Sequence, residues 1–399
     1  MKKILLISQN FYPEIGSAAN RMKQLFLLFK EKFDVTMYTA IPHYPNRGIY
    51  EQENLEDEGI EAEAVHRIKT RVNQYETNMF FRFLLYLETF CRFLFKIIRT
   101  KEHYDVVYVS SPPISIALVG LFAKKKLKAR LIIDIRDLWP ESFKGVGKCN
   151  SRFFLFFAYR LEKTIYRHAD EIIINSEGYV TYITDRGGSP DKVTFVPNSL
   201  TMEELTFGST KNQGMNRPAT VIYTGNVGLA QELGSFIRMA AFFQSNPHVR
   251  FKIIGYGINF QKLIDTVEES HLTNVIIQSS DTRKQVLKEL AEADIAFIGL
   301  SSHEVFERVI PGKVIDYMGM GLPIIGIASG YCKDIINNSR TGFIYEQHEE
   351  DKLYQHLRML LENHMLWDHF HRNALRYAKD HYYWSENFKR IEKIITTFE

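Results

Sequence analysis

Twelve short apolar runs, most of them unbroken stretches of β-branched residues, recur along the chain at helix-length intervals. In the first half they are Lys3–Ser8, Val35–Ala40, Val106–Ser110, Leu131–Ile135, Glu171–Ser176 and Lys192–Val196. In the second half they are Thr220–Thr224, Arg250–Ile254, Asn274–Gln278, Ile295–Leu300, Pro323–Ile327 and Thr341–Tyr345. A strand with one wet face alternates polar and apolar residues. A strand that is apolar throughout is buried on both faces, as in a parallel sheet covered by helices. Two such series predict an α/β chain of two doubly wound, Rossmann-like domains, with a ligand cleft expected between them.

The break falls near Val196-Pro197-Asn198-Ser199, and the polar stretch Gly208–Pro218 follows before the periodicity restarts at Ala219. The expected division is 1–197 for one domain, 198–380 for the second, and 381–399 for a helix packing back toward the first. That last segment carries Phe388, Ile391, Ile394 and Ile395 at helical spacing. Length fits this division, since 399 residues exceed what one core normally holds.

Composition removes several function classes. The net charge of +3 is too small for nucleic-acid binding, although residues 1–200 hold 29 Lys and Arg against 23 Asp and Glu. Cys91, Cys149 and Cys332 are too few and too scattered for a disulfide framework or a metal knuckle, which points to a reducing, cytoplasmic setting. The apolar run Ile4–Ile7 is too short for a signal peptide and reads as a first strand.

Four places carry chemistry. After the first strand, Gly16 stands where the chain enters a helix, a position that lets a ligand approach the backbone. The run Leu131–Ile135 leads into Arg136-Asp137-Leu138-Trp139-Pro140-Glu141-Ser142, where Arg136 suits an anion and Asp137 a sugar hydroxyl or a proton. The alternative is an Arg–Asp pair fixing a loop. In the second half, Gly225-Asn226-Val227-Gly228 and Gly255-Tyr256-Gly257 close two consecutive strands and offer backbone N–H groups. The fullest signal is Pro311-Gly312-Lys313-Val314-Ile315-Asp316. Proline and glycine open a helix there, the first-turn amides and Lys313 favour an anion, and Asp316 follows on the same face. Asp316 suits the two hydroxyls of a ribose. The plainer alternative is a capped helix with an internal Lys–Asp pair.

With these pieces in view, the whole chain resembles the retaining GT-B glycosyltransferases of the large family 4 group. The resemblance rests on Phe11–Arg21, Asp134–Ser142, Val196-Pro197-Asn198, Tyr223–Gly228, Pro311–Pro323 and Trp384-Ser385-Glu386. It is closest to a bacterial subgroup that includes N-acetyl-L-fucosamine transferases of O-antigen and capsule assembly. It implies transfer, with retention, of an N-acetylated amino sugar from a UDP-sugar to a polyprenyl-diphosphate-linked glycan. Gly16 would lie against the donor phosphates or the acceptor, Gly225, Asn226 and Lys313 would contact the diphosphate, Gly255 would line the nucleotide pocket, and Asp316 would take the ribose. The chain departs from the family pattern where Arg308 replaces the first glutamate of the Glu-x7-Glu motif, with Glu304 or Glu307 as substitutes. It departs again where neutral Asn226 and Gln231 replace two basic residues, and where Arg136 stands for a histidine. Phosphate charge would then fall to Lys313 and Arg308.

No Asp-x-Asp occurs, so the leaving diphosphate is expected to be met without a metal, by Lys or Arg and helix N-termini. A nucleotide-sugar 2-epimerase of the same architecture is the alternative enzyme, and a non-catalytic sugar-binding protein a third reading. Residues 79–101 and Phe153–Arg167 mix aromatic and basic residues too densely charged to span a bilayer. They suit helices lying on the inner-leaflet membrane surface, with Lys124, Lys125, Lys126 and Lys128 adding attraction.

Overall fold

The computed structural model describes residues 1–42, 60, 62–71, 79–145, 151–209, 217–279 and 282–398. Cys149 and most of the stretch 208–218 lie outside the described residues. The chain forms two compact units, Met1–Pro197 with Glu386–Glu399, and Asn198–Ser385.

The first unit is built on a seven-stranded sheet of order β3-β2-β1-β4-β5-β6-β7. Its strands are β1 (Lys3–Ser8), β2 (Asp34–Ala40), β3 (Val65–Ile68), β4 (Val106–Ser111), β5 (Arg130–Ile135), β6 (Glu171–Ile174) and β7 (Val193–Phe195). All pairings are parallel. Each predicted run of this half became a strand. The unpredicted β3 is an edge strand whose central His66 and Arg67 are exposed, so it never displays an apolar run. The central strands are dry: Ile4 to Ile7, Val106 to Val109 and Ile172 to Ile174 have no exposed surface.

The second unit carries six parallel strands in the order β10-β9-β8-β11-β12-β13. They are β8 (Ala219–Asn226), β9 (Val249–Tyr256), β10 (Val275–Ser279), β11 (Ile295–Gly299), β12 (Ile324–Ile327) and β13 (Gly342–Tyr345). Alternate residues feed two cores. Val221, Tyr223, Phe251, Ile253, Ile295 and Phe297 pack on one side. Ile222, Ile254, Ala296 and Ile298 pack on the other. This is the pleat at work: period-two side chains of a sheet covered on both faces need apolar residues at every position.

The second unit runs five residues past the expected boundary at 380. Tyr382 is buried in its core, and the Leu200 amide donates to the Tyr382 carbonyl while the Trp384 amide donates to that of Leu200. The helix Trp384–Thr397 then passes mostly into the first unit. Phe388 meets the Phe29 ring edge-on at 5.0 Å, Ile391 and Ile395 are fully buried, and Arg390 donates to the Phe195 carbonyl.

Candidate functional site

In the second unit the chain runs β8, β9, β10 toward one edge and β11, β12, β13 toward the other. The order reverses between β8 and β11. At such a reversal the connections leave on opposite faces, and a crevice opens at the carboxyl ends of the strands. Gly225 and Asn226 end β8, and Gly255 is the register partner of Gly225 on β9. Gly225 has φ +107°, a conformation that side chains resist. At Gly255 an added Cβ would stand 2.9 Å from the Gly225 carbonyl oxygen, too close for any other residue without shifting backbone.

The helix Gly312–Gly319 follows β11 into this crevice, with Pro311 at φ −66° as its N-cap. Its first-turn amides lack intrahelical acceptors and carry the positive end of the helix dipole. Tyr317 anchors it to β8, its hydroxyl accepting from the Thr224 amide at 3.0 Å. Lys313, one residue inside the helix, reaches back to the strand end. Its Nζ lies 3.8 Å from the Tyr223 ring centroid and 3.5 Å from the place a Cβ on Gly225 would occupy.

That ammonium is buried and makes no hydrogen bond, so the internal Lys–Asp pair does not form. Burial pushes Lys313 down to about 7, opposed by the charge of Asp316. The Asn226 Oδ1, at the same strand end, is also buried without a hydrogen-bond partner. Unpaired buried polar groups each cost on the order of 1–3 kcal/mol. Two of them beside a helix N-terminus suit an anionic ligand that also offers a donor group.

Asp316 is tied elsewhere. Arg283 forks onto it, Nη2 to Oδ1 at 2.9 Å and Nη1 to Oδ2 at 3.3 Å, and the Arg283 Nε donates to Glu204 at 2.5 Å. Burial pushes the Asp316 carboxyl up and Arg283 pulls it back. Arg283 opens the helix Arg283–Glu292 and Glu204 closes a capping box on the helix Met202–Ser209, but neither local motif announces the long-range contact to Asp316. Arg308 sits on the short turn before the helix and pairs with Glu304 at 3.1 Å.

The first unit holds the remaining candidates. Gly16 caps the helix Ser17–Lys30 at φ 140°. Arg136 points inward, its Nε donating to the Ser110 hydroxyl at 2.7 Å and its Nη2 to the Pro112 carbonyl at 2.9 Å, so it braces the loops after β4 and β5. Burial raises the Asp137 carboxyl against a hydrogen bond from Ser142. Asp137 lines a small pocket together with Ser111, Trp139 and Glu162. Glu162 is buried among the hydroxyls of Tyr166 and Tyr182, and burial pushes it up to about 7.

Residues 23–199 match the glycosyl transferase 4-like domain, and residues 209–379 match glycosyl transferases group 1. The fold agrees with solved structures. A sucrose-phosphate synthase from Thermosynechococcus elongatus superposes with a TM-score of 0.74 at 14% identity, over 99% of this chain and 98% of that one. HepE of Anabaena, solved with UDP-glucose, gives 0.70 at 16% identity over the whole of both chains. WaaG, a glycosyltransferase involved in lipopolysaccharide biosynthesis, gives 0.68 at 14% identity over 99% of this chain and all of that one. No curated protein sequence matches the chain. The two units are thus a glycosyl transferase 4-like domain and a group 1 domain, and the chain is a glycosyltransferase with the GT-B fold.

Proposed function

We propose that the chain transfers a sugar from a UDP-sugar, with retention and without a metal, to a lipid-linked glycan in bacterial surface-polysaccharide assembly. The observation that carries the reading is Lys313: a buried ammonium with no hydrogen-bond partner, at a helix N-terminus beside a strand-end glycine. A diphosphate placed there gains a full positive charge and the first-turn amides of Gly312–Gly319. Those groups stabilise the charge that grows as the glycosidic bond breaks. The Asn226 side chain and the backbone at Gly225 and Gly255 complete that wall, and Asp316 takes the ribose. Arg308, now paired with Glu304, is a second cation within the same segment. The HepE complex with UDP-glucose supports the choice of nucleotide, and WaaG supports the surface-glycan setting. The subgroup resemblance carried by Arg136–Ser142 favours an N-acetylated amino sugar such as N-acetyl-fucosamine.

Asp137, in its pocket in the first unit, is the group we assign to an acceptor hydroxyl, and Gly16, at the start of the helix Ser17–Lys30, is assigned to the phosphates or the acceptor. Purified protein incubated with a panel of UDP-sugars is expected to release UDP at least about tenfold faster when a polyprenyl-diphosphate glycan is added. Epimer formation without any acceptor would contradict the reading.

The acceptor's lipid places the protein at the cytoplasmic face of the membrane. No helix among the described residues is long and apolar enough to cross a bilayer. Three helices of the first unit nevertheless suit its surface: Met79–Arg99, Ile114–Leu127 and Arg152–His168, the middle one packing against both others. Together they hold eleven Lys and Arg against two acids, Glu88, which pairs with Arg92, and the buried Glu162. Phe153, Phe156 and Phe157 are exposed at 76%, 55% and 54%, and Phe95 at 52% with Arg99 stacked over its ring. Phe153→Glu with Phe157→Glu is expected to abolish flotation with anionic liposomes, and unchanged flotation would remove that helix from the membrane contact.

A further inference from the structure

We propose that Arg283 is the positioning residue for Asp316 and Glu204 the group that holds Arg283. Together they set how strongly this chain distinguishes a ribonucleotide from its 2′-deoxy counterpart. The inference rests on the reading that Asp316 receives the ribose.

The three residues come from separate elements. Glu204 lies in the helix Met202–Ser209, which begins soon after the unit boundary at Pro197. It closes a capping box there: the Glu204 amide donates to the Thr201 hydroxyl at 3.2 Å, and Glu204 Oε2 accepts from the Thr201 amide at 2.9 Å. Its other oxygen, Oε1, accepts from the Arg283 Nε. Arg283 is the first residue of the helix Arg283–Glu292, capped by the Thr282 hydroxyl. Both terminal nitrogens of its fork then reach the two oxygens of Asp316. A continuous line of bonds thus runs from a capped helix start to the carboxylate.

This arrangement does two things for an aspartate. First, the planar fork fixes the rotation of the carboxylate, which a single contact would leave free. Each oxygen accepts one N–H from Arg283 and keeps a second lone pair, so two acceptors face outward at a set spacing. Vicinal ribose hydroxyls are a matched pair of donors for them. Second, the Arg283 charge opposes the burial that raises the Asp316 carboxyl. Glu204 matters because an arginine between two carboxylates is held from both sides, and its own charge is balanced when no nucleotide is bound.

The test is a pair of calorimetric titrations, with UDP and with 2′-deoxy-UDP, on the full chain and its variants. The wild type is expected to prefer UDP by about tenfold, the worth of one hydrogen bond to a charged group. Asp316→Asn and Arg283→Ala should both bring the ratio below about twofold. Arg283→Lys, which keeps the charge and loses the fork, and Glu204→Gln should fall between. Thermal melts accompany each variant, and the lysine variant carries the test should the alanine variant fail to fold. A wild-type ratio retained in Arg283→Ala, or an equal loss of affinity for both nucleotides, overturns the inference while leaving the UDP site standing. A wild type that binds both nucleotides equally overturns the ribose role of Asp316, and the inference with it. A wild type that binds neither at millimolar concentration overturns the reading of the site itself.

Discussion

Replacing Lys313 with methionine is expected to yield a more stable protein that turns over about 10²–10³-fold more slowly. The two effects share one cause. In the folded chain the Lys313 ammonium is buried against the Tyr223 ring with no hydrogen-bond partner, and it titrates near 7 instead of 10.5. A depression of that size corresponds to at most ~5 kcal/mol held against the charged form. Methionine has similar length and no charge, so Lys313→Met should stabilise the fold by about 1–3 kcal/mol. The sign against pH follows. Between pH 7 and 10.5 the unfolded chain holds the lysine proton and the folded chain does not. Stability therefore rises with pH across that window. The penalty is fully present below 7 and gone above 10.5. Melting curves of wild type and Lys313→Met should accordingly converge as the pH climbs from 7 toward 10. Curves that stay parallel would show that Lys313 is not buried as a free ammonium. The same substitution removes the cation that these contacts place at the end of β8, which is why turnover falls while stability grows.

The opposite behaviour is expected at Asp134. Arg21, in the helix that Gly16 caps, forks onto Asp134 of β5 at 2.7 Å and 3.0 Å, and both side chains are fully buried. Each ion is tolerated only because the other is present. Asp134→Ala leaves a guanidinium without its counter-charge inside the first unit and should cost about 3–5 kcal/mol. Arg21→Met with Asp134→Leu removes both charges and should recover most of that loss. Chemical denaturation of the single and double variants checks this. A single variant within 1 kcal/mol of wild type (about a fivefold change in the folded-to-unfolded ratio) would mean that water reaches the pair. Because Asp134 precedes Arg136 and Asp137, the pair also holds the strand end from which those residues emerge.

The fold was legible because two-sided burial leaves a plain mark. Runs such as Ile4–Ile7 and Ile295–Ile298 have no polar position to place at a surface, and each became a central strand. β3 escaped because an edge strand needs no such run, and His66 and Arg67 occupy its exposed middle. The glycine and helix-opening signals named the strand end and helix start that meet at Lys313, since a turn residue or a first-turn proline acts within a few positions of itself. Arg283 could not be found that way. Its partners are 79 and 33 positions distant, and nothing local distinguishes it from any arginine opening a surface helix. For Glu204 the spacing Thr201-x-x-Glu204 announces a capping box, but not that the same carboxylate also holds an arginine. Arg136 is a similar case. Its local motif names a charged loop after a buried strand, and does not announce that its guanidinium donates to Ser110 and Pro112.

The central claim is that Lys313 receives the diphosphate of a nucleotide donor. The most direct measurement is calorimetric titration of UDP between pH 6 and pH 9, in two buffers of different ionisation enthalpy, on wild type and Lys313→Met. A lysine that titrates near 7 must regain its proton to pair with an anion. UDP binding is expected to take up a proton above pH 7, affinity to fall about tenfold for each pH unit there, and Lys313→Met to lose both the affinity and the proton uptake. Affinity that is flat across this range, or a methionine variant that binds UDP as tightly as wild type, would contradict it.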